Sequence, residues 1–360
     1  MKVAIIGGGV VGLSAAYFLA REGADVAVFE QKYLLYGASG RNSGGITAMH
    51  DNEAMIELAK RSIELYEILP SEVDFNFLFR QDGYIKVAAT GGDLDALREE
   101  VRLQNSLGVK SRMIDAYEVK DFIPDFNEES IVGGAYDPSG GVIFPWPVIW
   151  GLAKGCRELG VEIRDNTEVK EILVENGRVE GVVAGDETFR VDYVVNAAGA
   201  WSNKVSSMAG VELGNRIIKE EICVTESLKP YLNQYLLDVT TGVYLSQSMR
   251  GEIVGGILGS ETEDLSTNST LDFVFRYSKR AIELIPKLKG LALLRQWAGV
   301  YDEGKDGLPV VGETKVDGFI QANGFGKAGM SIGPAVGEEL ARLILKGKSE
   351  KLAAFSPERF

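Results

Sequence analysis

The sequence predicts an α/β fold built on a parallel sheet, and three observations at its start predict it. Residues 2–6 form a short apolar run that stops at Gly7-Gly8-Gly9. A helical pattern follows, with Val11, Ser14, Ala15, Phe18 and Leu19 recurring at spacings of three and four. After Gly23, the run Val26-Ala27-Val28-Phe29 reads as a second strand buried on both faces. Strand, helix and strand in this order open a parallel sheet. At 360 residues, the chain is long for one domain and suits two intertwined ones.

The remaining elements follow in order. Residues 36–45 are rich in Gly, Ser and Asn, the composition of an ordered loop. Residues 53–68 read as a helix with Met55, Leu58, Ala59, Leu65 and Tyr66 near one face, 84–89 as a strand and 93–107 as another helix. The stretch 148–159 puts Ile149, Leu152, Ala153, Cys156 and Leu159 on one face, which makes Cys156 a core residue. Alternating apolar runs at 168–174 and 179–184 flank Asn176-Gly177, a strong hairpin signal. Residues 193–201 look like a strand entering a glycine turn. Several β runs occupy 216–258, a helix is expected at 271–285, and the end returns to strand (319–322), glycine loop (323–333) and helix (335–345).

Composition excludes several classes of function. Hydrophobic residues are 45% and charged residues 25%, enough for a large core and too apolar for global disorder. The net charge of −14 repels phosphate backbones, so no nucleic-acid partner is expected, and an anionic ligand needs a local cation. Two cysteines cannot build a disulfide framework or a metal cluster, and one histidine, His50, excludes His-rich metal sites. No apolar run approaches the roughly 18 residues of a membrane span. The N-terminus enters its glycines without a signal-peptide cleavage pattern, which points to a cytoplasmic protein.

The strongest motif is Gly7-x-Gly9-x-x-Gly12 between strand and helix, with Glu30 closing the second strand. Gly7 allows the tight turn, Gly9 lets backbone approach a pyrophosphate, and Gly12 lets helix pack on strand. The helix N-terminus faces the phosphates, and Glu30 can accept the ribose hydroxyls. This Rossmann-like fingerprint serves FAD and NAD alike. The loop Tyr36-Gly37-Ala38-Ser39-Gly40-Arg41-Asn42-Ser43-Gly44-Gly45-Ile46 offers a hydroxyl, a guanidinium and bare backbone, suited to a second pass over pyrophosphate and a flat ring. Near the C-terminus, Gly324-Phe325-Gly326-Lys327-Ala328-Gly329-Met330-Ser331 precedes a helix. That helix end and Lys327 would set positive potential beside a reduced flavin.

The motifs at 7–12, 30 and 37–46, with Asn196-Ala197-Ala198-Gly199-Ala200-Trp201, resemble the D-amino-acid-oxidase superfamily of FAD enzymes. So do Gln296-Trp297-Ala298-Gly299, Asp306-Gly307-Leu308-Pro309 and the stretch 324–337. Within the superfamily the chain is similar to glycine oxidase, the sarcosine oxidase β subunit and the β subunit of dye-linked L-proline dehydrogenase. The resemblance implies an FAD domain from 1–78, 139–215 and 303–360, with an inserted α+β substrate domain on a mixed sheet from 79–138 and 216–302. It implies FAD contacts from Gly7, Gly9, Val10, Val11, Gly12, Glu30 and Gln31, and from Ser39, Gly40, Arg41, Asn42, Gly44, Gly45 and Ile46. Val169, Ala198, Gly199, Trp201 and Gly299 would contribute further contacts, as would Gly324, Phe325, Gly326, Lys327, Ala328, Gly329 and Met330. Relatives with covalent flavin use a histidine near the Asn42 position or a cysteine before Asp306; this chain has neither, so FAD is expected to be non-covalent.

The implied reaction moves a hydride from the α-carbon of a small amino acid or secondary amine (proline, sarcosine or glycine type) to flavin N5, giving an imine; the amine must first lose its proton. Glycine-oxidase relatives hold the carboxylate with an arginine where Tyr301 stands, so the expected anchor here is Lys327. Tyr244 is expected to hydrogen-bond the carboxylate and His50 to handle protons; strict alternation puts Gln247 on the face opposite Tyr244. Electrons would pass to oxygen, a quinone or a partner subunit, in the cytoplasm or at the periphery of a membrane electron-transfer chain, and the chain could be a homo- or hetero-oligomer. Two other readings stay open: an FAD-dependent dehydrogenase of a hydroxy acid or glycerol 3-phosphate, and a flavin-binding subunit inactive without a partner.

Overall fold

A computed structural model describes residues 1–360. Its six-stranded sheet runs, edge to edge, Val310–Glu313, Phe319–Asn323, Tyr193–Asn196, Lys2–Ile6, Asp25–Phe29 and Glu162–Arg164. Every neighbouring pair is parallel except the first, whose strands are joined as an antiparallel hairpin. Lys2–Ile6 is central and is buried at four of five positions, as a run packed on both faces must be. The hairpin at Asn176-Gly177 forms as expected: both residues have positive φ, 52° and 79°, which the tight primed turn demands.

A second sheet of eight strands draws only on residues 84–137 and 216–303. Its strands are antiparallel except where Tyr84–Ala88 lies beside Tyr235–Asp238 in parallel. The long strand Arg216–Ser227 sits between Leu293–Glu303 and Glu252–Glu261, and Leu293–Glu303 leads back into the first sheet's edge.

The two chain ends meet through helices Val10–Arg21 and Gly329–Lys346. Glycine makes the approach possible: a Cβ on Gly333 would stand 2.9 Å from Val10 Cγ1, and one on Gly337 2.4 Å from Ser14 Cβ. The C-terminal helix starts at Gly329, six residues before the expected start at 335, and runs through Pro334. Pro334 has no N–H for the carbonyl of Met330, so a helix start after it was the simpler expectation. Helix Glu53–Glu72 supplies what is missing. The Tyr66 hydroxyl donates to Met330 O at 2.7 Å, and the Ala335 N–H donates to Ser62 Oγ at 3.1 Å. The consequence is that Gly329, Met330 and Ser331 are helical, and the helix N-terminus moves up to the end of the sheet.

Tyr66 is fully buried. Replacing Tyr66 with Phe leaves the Met330 carbonyl without its partner and should cost about 1–3 kcal/mol, the desolvation penalty of one buried acceptor. Urea unfolding of the FAD-loaded protein would measure it.

Candidate active site

Two clefts meet at Gly9 and Ser39. The first, of roughly 870 Å³, runs past Gly7, Glu30, Gln31, Val169, Ala198, Gly199 and Trp201. Gly7 has φ of +116°, and a Cβ there would lie 2.2 Å from Ala197 O, so only glycine makes this turn. Helix Val10–Arg21 carries no acid in its first turn and no side-chain cap of its own; its first N–H, from Val10, donates to Ser39 Oγ at 3.0 Å. Its positive end is thus left open to an anion. The Glu30 carboxylate accepts the N–H of Gly8 at 3.1 Å and of Lys32 at 3.0 Å, one on each oxygen, which leaves lone pairs for hydroxyls in the cleft. Burial raises its pKa above the ordinary range while these two donors oppose the rise.

The second cleft, of roughly 1350 Å³, lies between the ends of the parallel sheet and the face of the eight-stranded sheet. Val10, Val11, Arg41, Asn42, Gly44, Gly45 and Gly299 line it, with Phe325 to Met330. Loop 36–46 is fixed by its own side chains: Arg41 Nε donates to Tyr36 O at 2.7 Å, and the Asn42 amide bonds Ala38 O and Ser39 O at 3.0 Å. Trp297 Nε1 donates to Arg41 O at 3.1 Å, and Ser43 Oγ pairs with the Tyr235 hydroxyl at 2.8 Å, so the eight-stranded sheet holds the loop from above. From below, Thr47 N–H donates to Ser331 Oγ at 3.3 Å, and buried Asp137 accepts the Thr47 hydroxyl at 3.1 Å. A trough from Glu30 to Lys327, flanked by two helix N-termini without acidic residues in their first turns, fits an extended dinucleotide with a flat ring at its far end.

Four expected contact residues line neither cleft. Gly12 packs helix on strand, where an added Cβ would stand 2.1 Å from Gly7 O. Gly40 turns the loop against Leu35, and its carbonyl accepts Trp146 Nε1 at 2.9 Å. Ile46 is fully buried and pairs with Gly141. Gly324, at φ +71°, donates its N–H to Asp302 at 2.9 Å.

The three candidate catalytic residues, Lys327, Tyr244 and His50, all line the second cleft. Lys327 makes no ion pair; burial by the surrounding walls and repulsion from Lys86 lower its pKa. Lys86 is neutralised by Glu100 at 2.6 Å. Tyr244 differs from expectation. Its hydroxyl donates to Glu220 Oε1 at 2.6 Å, so it is not free for a substrate carboxylate. Gln247 is buried and holds the N–H groups of Tyr231 and Leu232, at 2.8 and 3.0 Å, away from the site. Cys156 is a core residue, its thiol pushed up to about 12 by burial.

Sequence reasoning missed Glu220, Tyr84 and Tyr235, and marked Tyr301 only as the position where relatives carry an arginine. The Tyr301 hydroxyl donates to Glu220 Oε2 at 3.1 Å, so the carboxylate is held from both sides. Register explains the grouping. Ile218 faces Tyr301 and Glu220 faces Gly299, which places Glu220 and Tyr301 as diagonal neighbours on one face. Tyr244 lies two strands away, and its ring reaches across Gly256, where a Cβ would stand 2.4 Å from its hydroxyl. The Gly255-Gly256 pair in a strand was the available signal. Tyr84, Tyr235 and Tyr244 stack side by side, with centroids 4.6 and 5.9 Å apart, as one aromatic wall.

His50 does not suit the proton-handling role expected of it. Burial, with the positive charges of Lys86 and Lys327, pushes its pKa to about 3, and its Nε2 has no partner. A histidine whose folded pKa lies below its unfolded value stabilises the fold above about pH 6.5; that contribution fades as pH falls, reaching a loss of about 2 kcal/mol by pH 5. Because the chain has one histidine, ¹³C-labelled histidine gives a single assignable imidazole signal. Its shift should stay at the neutral value from pH 9 to 5, and a midpoint near 6.5 would contradict this geometry.

Residues 2–343 match the family described as FAD dependent oxidoreductase. Sarcosine oxidase subunit beta of Arthrobacter sp. is 30% identical over 366 residues, covering 99% of this chain and 90% of that protein. The corresponding subunit of Rhizobium meliloti is 31% identical, with 99% and 88% covered. The solved L-proline dehydrogenase from P. horikoshii superposes with a TM-score of 0.95 at 31% identity, covering 100% of this chain and 97% of that one. A fold with a dinucleotide trough between two helix ends, matched over nearly its whole length, places this chain in the FAD dependent oxidoreductase family.

Proposed function

We propose that the chain oxidises a small amino acid with a secondary nitrogen, of the proline or sarcosine class, at the carbon that bears the carboxylate. The observation that carries this reading is Lys327: a cation without an ionic partner, facing the cavity at the end of the C-terminal glycine turn, in a protein of net charge −14. Of the other two cations on this cavity, Lys86 is paired with Glu100 and Arg41 holds the Tyr36 carbonyl, which leaves Lys327 for a single carboxylate. The names of the relatives, sarcosine oxidase subunit beta and L-proline dehydrogenase, support the same substrate class.

FAD, when bound, supplies the hydride acceptor. The residues of this chain bind and orient. Lys327 holds the carboxylate. The stacked tyrosines exclude water from the opposite side, where the substrate's carbon skeleton lies. Both cysteines lie in the cores outside the clefts, which supports non-covalent attachment of the cofactor. Electrons then pass to oxygen, a quinone or a partner subunit. No helix is long and apolar enough to cross a membrane.

A phosphate ester such as glycerol 3-phosphate fits less well. It needs several free cations, and Lys86 is already paired with Glu100.

The test is anaerobic: proline, sarcosine, glycine and D- and L-amino acids are added to the FAD-loaded protein and the loss of yellow absorbance is followed. Proline or sarcosine should bleach the protein, and no bleaching across the panel would reject the proposal. Lys327→Met should raise the concentration for half-reduction by about 10–100-fold, the equivalent of losing one charge-assisted hydrogen bond. The reduction rate at saturation should change much less.

A further inference from the structure

A second charge faces the same cavity as Lys327. Glu220 lies on the strand Arg216–Ser227 and lines the same cavity as the C-terminal turn. Each of these two charges is close enough to perturb the other's ionisation, yet no salt bridge joins them. An anion and a cation on one cavity, held apart, leave a slot with a negative end and a positive end. Resting on the amino-acid reading above, we propose that Glu220 is the specificity-determining residue for the substrate nitrogen: the cavity takes its ligand as a zwitterion in one orientation, ammonium toward Glu220 and carboxylate toward Lys327.

Three observations support this assignment. First, the hydroxyls of Tyr244 and Tyr301 both donate to Glu220, at 2.6 and 3.1 Å. They fix the carboxylate and spend their own protons on it, so this end of the cavity presents acceptors and repels an anion. Second, the stacked rings of Tyr84, Tyr235 and Tyr244 line the same cavity as the carboxylate, and this weakly polar wall strengthens the attraction between Glu220 and a cation. Third, the other cavity carboxylate is already engaged: Asp302 accepts Asn215 Nδ2 at 2.8 Å and Gly324 N–H at 2.9 Å. Burial raises the pKa of Glu220 above the ordinary range and the two phenols oppose the rise. A bound cation would settle it as the carboxylate.

Two half-ligands separate the two ends: pyrrolidine carries only the ammonium, and tetrahydro-2-furoate carries only the carboxylate. Their dissociation constants are read from the perturbation of the flavin absorption band in FAD-loaded protein, without turnover. In Glu220→Gln, pyrrolidine should bind at least about tenfold more weakly, while tetrahydro-2-furoate binds as before or more tightly. Lys327→Gln should show the reverse. Tyr301→Phe keeps the charge but loosens it, and should weaken pyrrolidine by roughly two- to fivefold. FAD content and melting temperature confirm that each variant is folded, and Tyr301→Phe carries the test if Glu220→Gln is not. Equal weakening of both probes, or no change in either, would overturn the assignment. Failure of the wild type to bleach with any amino acid would instead reject the substrate class, whatever the two probes show.

Discussion

The close crossing of helices Val10–Arg21 and Gly329–Lys346 is the constraint on which the rest of the structure depends. It works because Gly333 and Gly337 present no side chain to Val10 and Ser14. The two helices come from opposite ends of the chain, yet the crossing aims both N-termini at one trough. Neither helix has an acidic residue in its first turn or a side-chain cap of its own. Each therefore contributes a partial positive charge that the protein leaves uncompensated. In a strongly acidic protein, this is how a binding site for an anionic cofactor is made with few cationic side chains.

The parallel sheet and its glycine turn were legible because their signals are local. A five-residue strand, three spaced glycines, a helix and a terminal acid sit within thirty residues, and each is demanded by the backbone itself. The Asn176-Gly177 hairpin was legible for the same reason. The start of the C-terminal helix was not. Pro334 is a local stop signal, and what overrides it is a phenol and a serine from a helix 264 and 273 residues before their partners. Sequence spacing contains no trace of such a contact.

The substrate end of the site shows the same division. Lys327 was legible because it sits inside a glycine turn beside a helix. Glu220 was not, because it is one acid among the 52 acidic residues and lies on a strand of mixed polarity. What distinguishes it is its placement diagonal to Tyr301 and across a glycine gap from Tyr244. That grouping exists only after four strands are in register. Tyr244 lines the cavity, but its hydrogen-bond partner belongs to another strand, so its chemistry could not be read from its own neighbours.

Tyr235 has a wider consequence. Its ring stacks between Tyr84 and Tyr244. Its hydroxyl pairs with Ser43, and its ring fills the space a side chain at Gly45 would need. One phenol thus belongs both to the wall that shapes the amino-acid chamber and to the loop that cradles the cofactor. The two compartments share one pin, so a substitution that shifts this ring disturbs the chamber and the loop together.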